Sequence, residues 1–179
     1  QVGFGMNAFH AGSLVLAVFA GNLAMKPATT PLIRYFGFKK LLVGNGVLCV
    51  LSLFFCAFLT PDSPEVLTLV LLFWGGLSRS MQFTGISSLA FADVPAKEMS
   101  SANTLFSTSL QLASGLGVTL GALSIRAGEY LAQWFHLSAE PGMAFRLGFV
   151  VIAVITAIAL WDITRLAPDA GINVSQKAK

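Results

Sequence analysis

Arg34-Tyr-Phe-Gly-Phe-Lys-Lys40 runs directly into Leu41-Leu-Val-Gly-Asn-Gly-Val-Leu-Cys-Val-Leu-Ser-Leu-Phe-Phe-Cys-Ala-Phe-Leu-Thr60. A cluster of positive charges is followed by twenty residues with no charge at all. At ~1.5 Å per residue, a helix of that length crosses the ~30 Å hydrocarbon layer of a bilayer. Working outward, residues 11–33, 66–91, 101–125 and 143–166 have the same character. Five spans are expected, in an all-α polytopic membrane helix bundle occupying residues 1–166, with 167–179 as a cytoplasmic tail. Composition agrees: 55% of residues are hydrophobic and 11% charged, and the mean hydropathy is +0.77. That excludes a water-soluble domain, which could not solvate so much apolar surface.

The positive charges alternate across the spans. Arg34, Lys39 and Lys40 follow the first, Lys97 the third, and Arg165, Lys177 and Lys179 the fifth. The opposite ends carry only Arg126 and Arg146, and 61–65 has no Lys or Arg. The positive-inside rule then places the start of the chain outside and its tail in the cytoplasm. The chain opens at Gln1 with neither a signal peptide nor an Arg-rich transit peptide, so a piece of a longer protein is expected. Cys49 and Cys56 lie about two turns apart in one span, ~10 Å along the axis, too far for a disulfide. With His10 and His136 isolated, no metal site is expected, nor is any cofactor, nucleic-acid partner or catalytic pair.

Polar residues inside spans are candidates for function, because burying them in hydrocarbon is costly. Asn22, Lys26, Thr29 and Thr30 share one face of the first span, with Pro27 and Pro31 expected to kink its inner half. Lys26 either snorkels to the interface or borders a water-filled cavity. Arg79 sits near the middle of the third span, beyond the reach of snorkelling, where an arginine costs at least ~2.5 kcal/mol. Gly75, Gln82 and Phe83 share its face. Asp93 and Asp162 lie toward span ends, so no free intramembrane carboxylate of this sequence is available to it, and a partner from missing sequence is expected. Either it binds helices together, or it borders an aqueous path or a ligand.

The fourth span carries a polar stripe of Asn103, Ser107, Gln111 and Ser114 within about 80° of arc. Beside it Ala113, Gly117 and Gly121 repeat every four residues, the small-residue pattern that lets helix backbones touch. Leu105, Leu112, Leu116, Leu120 and Leu123 lie opposite, toward lipid or other helices. Asp93 and Pro95 read as the cap and first turn of this helix.

Three stretches carry a family resemblance. Ala28-Thr-Thr-Pro-Leu-Ile-Arg-Tyr-Phe-Gly-Phe-Lys-Lys40 resembles the short cytoplasmic loop in the C-terminal half of the major facilitator superfamily, with Arg34, Gly37, Lys39 and Lys40 on its pattern. Gly76-Leu-Ser-Arg-Ser-Met-Gln-Phe-Thr-Gly-Ile-Ser-Ser-Leu-Ala-Phe-Ala-Asp-Val-Pro95 and Ser101-Ala-Asn-Thr-Leu-Phe-Ser-Thr-Ser-Leu-Gln-Leu-Ala-Ser-Gly-Leu-Gly-Val-Thr-Leu-Gly121 are similar to the fourteen-span drug:proton antiporter (multidrug efflux) branch. So is Gly5-Met-Asn-Ala-Phe-His-Ala-Gly12.

The resemblance implies a C-terminal fragment: the last five transmembrane helices of a twelve- or fourteen-helix transporter in a bacterial cytoplasmic (inner) membrane. It implies proton-coupled export of drugs or other amphipathic compounds, with protons as coupling ion and the proton-coupling acids in a missing N-terminal half. It also implies a cytoplasmic gate role for Arg34, Gly37, Lys39 and Lys40. Lys26, Arg79, Gln82, Phe83, Asn103, Ser107 and Gln111 are the expected cavity wall, and Ala113, Gly117 and Gly121 the expected packing contacts. Uptake or exchange of an anionic metabolite remains an alternative, favoured by the unpartnered Arg79 and Lys26. A non-transporting scaffold or sensor is the other.

Overall fold

The computed structural model describes residues 7–60, 63–136, 142–168 and 170–172. It contains five helices: α1 Ala8–Phe36, α2 Phe38–Cys56, α3 Glu65–Ala90, α4 Met99–Trp134 and α5 Met143–Thr164. Each is long and apolar enough to cross a membrane. The principal contacts join α1 to α3, α4 to α5, and α2 to both α3 and α5. The result is a chain of packed helices in the order α1, α3, α2, α5, α4.

Between helices that all face hydrocarbon, backbone proximity does the work that apolar burial does in water. Gly21 and Gly76 meet in the α1–α3 crossing. A Cβ on Gly21 would collide with the Phe73 carbonyl oxygen, and one on Gly76 with that of Val18. Ser80 reinforces the crossing by donating its hydroxyl to the Asn22 carbonyl at 2.8 Å. At the N-terminal ends of the same two helices, His10 Nδ1 lies 3.8 Å from Glu65 Oε1, with both side chains exposed.

The turn between α1 and α2 is one residue long. Gly37 is the C-cap of the first helix and the N-cap of the second, with φ 74° and ψ 162°. That backbone region belongs almost wholly to glycine. The reversal seats Phe38 beside Ile33 and Leu42 in a buried cluster, flanked by Leu41, Leu89, Ile163 and Leu166. Gly171, from the segment expected to be a tail, is buried against this cluster. Its Cβ position lies 2.6 Å from Phe38 Cδ2.

Three expected boundaries shift. The second span was expected to reach residue 60, but α2 ends at Cys56, where the Ala57 N–H turns back onto Phe54 and Phe55. Arg146 Nε donates to the Ala57 carbonyl at 2.8 Å, a cation at the negative end of the α2 dipole. The fourth span was expected to end at 125, but α4 continues to Trp134. Arg126 and Glu129 end the apolar window, yet on an exposed face they do not end a helix. Asp93 and Pro95 do not open α4 either. The Glu98 N–H bonds to the Pro95 carbonyl at 2.9 Å, closing a separate turn, and Glu98 occupies the N-cap without a side-chain bond.

Candidate functional site

A cavity of about 410 Å³ lies between α2, α3 and α5. Helical spacing on α3 brings Gly75, Arg79, Gln82 and Ile86 to its wall. From α2 come Gly46, Cys49, Ser52 and Leu53, and from α5 Thr156, Ala159, Leu160 and Ile163. Gly75 leaves room at the narrow side: its Cβ would meet Ser52 Oγ at 3.0 Å. Cys49 and Cys56 are free thiols, the first on the cavity wall and the second buried.

The wall is organised by one amide. Asn45 Nδ2 donates to the Ser78 carbonyl and to Gln82 Oε1, each at 2.8 Å. Those bonds tie α2 to α3 and fix which way the Gln82 amide points: its oxygen is taken by Asn45, and its NH2 is directed elsewhere. Hydrogen bonds of this kind between membrane helices contribute roughly 0.6–2 kcal/mol each. Asn45 was not among the sequence candidates. Its one legible signal was an amide in an otherwise apolar span, the same signal that singled out Gln82.

Among the described residues, Arg79 is the only charged one on the cavity's lining, and it is itself exposed. No ion pair to it exists among the described residues, and Asp162, on the neighbouring α5, is exposed and outside the lining. Phe83, expected on the Arg79 face, is 55% exposed and outside the cavity. One turn beyond Arg79, it is rotated toward the edge where Gly76 and Ser80 meet α1.

The remaining candidates are not gathered here. Lys26 and Thr30 occupy the exposed edge of α1, whereas Thr29 is buried and returns its hydroxyl to the Met25 carbonyl at 2.9 Å. Asn103, Ser107 and Gln111 are exposed along the first half of α4. Arg34 and Lys40 are exposed at the α1–α2 reversal, with Lys39 half-buried.

The packing residues also fall elsewhere than expected. Ala113 is exposed, and a Cβ on Gly117 or Gly121 meets nothing within 4 Å. The close approach of α4 to α5 lies further along the same helix, at buried Ser124, Gly128 and Ala132. There a Gly128 Cβ would collide with the Ala144 carbonyl oxygen, and a Gly148 Cβ would sit 3.2 Å from that of Ser124.

The family model of the Major Facilitator Superfamily matches residues 1–178. The chain belongs to the major facilitator superfamily. It is an integral, multi-pass membrane protein of a family of secondary transporters. It is 33% identical over 178 residues to the "Putative multidrug resistance protein MdtD" of Enterobacter sp. (strain 638), with 97% of this chain and 37% of that protein covered. The MdtD of Escherichia coli O6:H1 is 30% identical over 98% of this chain and 37% of its own length. That of Yersinia pestis (strain Pestoides F) is 26% identical, with 97% and 37% covered. The chain thus spans a little over a third of these curated relatives. No solved structure matches it.

Proposed function

We propose that this chain is part of a proton-coupled efflux transporter that exports drugs or other amphipathic organic compounds by alternating access. The names of its relatives support the substrate class, and Arg79 on an otherwise apolar intramembrane wall is the observation that carries the reading. Two half-bundles rock about a site near the midplane, and proton and substrate each favour a different state through differential affinity. Arg79 and Gln82 form the charged and polar part of the wall. The exposed stripe Asn103, Ser107 and Gln111 faces the part of the transporter beyond this chain. Lys26 lies on the cytoplasmic approach, and Arg34, Gly37, Lys39 and Lys40 close that side against helix ends. Ala113 and Gly117, exposed on α4, provide close contact between the two half-bundles. In this reading the chain starts outside a bacterial cytoplasmic membrane and its tail lies in the cytoplasm.

The test is reconstitution of the full-length protein into proteoliposomes with an imposed pH gradient. Movement of a fluorescent amphipathic dye against its own gradient, abolished by a protonophore, is the expected result. Dye movement that ignores the pH gradient overturns proton coupling, and no movement with any of a panel of dyes overturns export. Exchange of an anionic metabolite is the second reading, favoured by the positive charge of Arg79, which pairs with no carboxylate among the described residues.

A further inference from the structure

Helix α1 is fastened at two places and weak between them. Toward its middle, Gly21 and Gly76 bring its backbone against that of α3, and Ser80 donates to the Asn22 carbonyl at 2.8 Å. Near its far end, Ile33 packs with Phe38 and Leu42, where α1 turns into α2. Between the two, Pro27 and Pro31 have no N–H to give, so the carbonyls of Leu23 and Pro27 lose their helical donors. Thr29 returns its hydroxyl to the Met25 carbonyl in the same stretch, a bond that bends helices. Such interruptions of the ladder are where long helices flex.

The second fastening is covered by residues that follow α5. A turn closed by the Ala170 N–H on the Ala167 carbonyl at 3.2 Å has Pro168 at its second position, which suits the fixed φ of proline. Gly171 then takes φ 71°, a left-handed value that glycine readily adopts. These reversals lay buried Gly171 on Phe38 and on Leu89 of α3, where a Cβ would lie 2.6 Å from Phe38 Cδ2 and 2.9 Å from Leu89 Cδ1. Ile163 and Leu166, at the end of α5, pack on the same cluster. Residues 170–172 thereby tie the α1–α2 reversal to the ends of α3 and α5. Ala170 is half-buried and Ile172 exposed, so little apolar area holds the segment down, and its opening costs less than parting the backbones of α1 and α3.

We propose that residues 170–172 form a releasable strap, whose release lets residues 27–36 swing about the proline stretch while the crossing of Gly21 and Gly76 stays in place. Gly37, at φ 74°, is the second pivot. The moving end carries Arg34 and leads into Lys39 and Lys40, so the strap controls when that charged reversal leaves the ends of α3 and α5. The proposal deepens the alternating-access reading by naming what restrains one end of the bundle, and it rests on that reading only for the part the swing plays in transport.

The test is the distance between paired spin labels, read by double electron–electron resonance on the full-length protein in nanodiscs. In a cysteine-free background, one pair replaces Tyr35, exposed on the moving end, and Lys97, exposed beyond α3. A second pair at exposed Leu16 and Val66 reports the parts of α1 and α3 that precede the crossing. Gly171→Leu drives a side chain into Phe38 and Leu89, and deletion of residues 170–172 removes the strap. Either change should move part of the Tyr35-to-Lys97 distribution to a second, separate distance and leave the Leu16-to-Val66 distribution unchanged. Gly44→Leu, where a Cβ meets nothing within 4 Å, should alter neither.

An unchanged Tyr35-to-Lys97 distribution in whichever strap variant reaches the membrane would overturn the proposal. So would the same shift in Gly44→Leu, or equal shifts in both label pairs, which would mean general loosening. Absence of both strap variants from the membrane would also overturn it, by making residues 170–172 part of the folded core. The labels need neither substrate nor proton gradient, and dye export is measured beside them. A shifted distribution with no export of any compound keeps the strap and removes the export reading, whereas export with an unshifted distribution removes the strap alone.

Discussion

Replacing Gly76 with alanine adds a single methyl group, yet the structure gives it nowhere to go. Its Cβ would overlap the Val18 carbonyl oxygen and lie 3.1 Å from the Asn22 amide nitrogen, both of them backbone. No side-chain rotation relieves such contacts, so α1 and α3 must separate along their principal crossing. Overpacking of this kind costs about 1–3 kcal/mol. Gly44 is the control, for a Cβ there meets nothing within 4 Å. Alanine in a helix interior is favoured over glycine by roughly 0.5–1 kcal/mol, a gain both variants share. Gly76→Ala should therefore unfold about 1–3 kcal/mol more easily than Gly44→Ala. Both would be made in the full-length transporter and unfolded in detergent by sodium dodecyl sulfate titration, with a fluorescent readout. Equal stability of the two variants would refute the backbone-to-backbone account of the α1–α3 crossing.

Gly37→Ala forces a side chain into a backbone region reserved for glycine and should cost about 1–3 kcal/mol, read as lower abundance in the membrane; undiminished abundance and stability would contradict a one-residue reversal. Gly128→Leu should sharply reduce abundance by prising α4 from α5, whereas Gly117→Leu should leave abundance near normal and lower export; the opposite order would place the close contact where the sequence pattern alone suggested. For topology, single cysteines at Ser63 and Ser175 in a cysteine-free full-length background would meet a membrane-impermeant thiol reagent on intact cells. Ser63 should label and Ser175 should not, and the reverse pattern would invert the orientation.

The number of spans was legible because hydrocarbon thickness imposes a length, and uncharged runs of that length stand out. Which glycines touch was not. Gly117 and Gly121 repeat as persuasively as Gly21 and Gly76 pair, but a contact needs a partner helix at that depth, and spacing within one helix does not supply it. The end of α4 was misplaced because hydropathy reads the apolar window, while helix propensity continues through Arg126 and Glu129. At the candidate site, Arg79 and Gln82 were legible as polar residues on one face of an apolar span. Their neighbours on the cavity wall came from α2 and α5, whose relative rotation no single-helix pattern carries. Asn45 illustrates the same limit, for its importance lies in reaching Gln82 across two helices.

The central claim is that Arg79 serves transport rather than holding the bundle together. Its most direct test is Arg79→Ala in the full-length protein, with export of several fluorescent compounds measured beside protein abundance in the membrane. Removing the guanidinium relieves an insertion cost, and no carboxylate among the described residues is stranded by its loss. Abundance should therefore hold while export is abolished or narrowed. Arg79→Lys should restore little, because a point charge does not reproduce the planar five-donor fork. Loss of abundance in step with export would make Arg79 a structural residue, and normal export in Arg79→Ala would contradict the account outright.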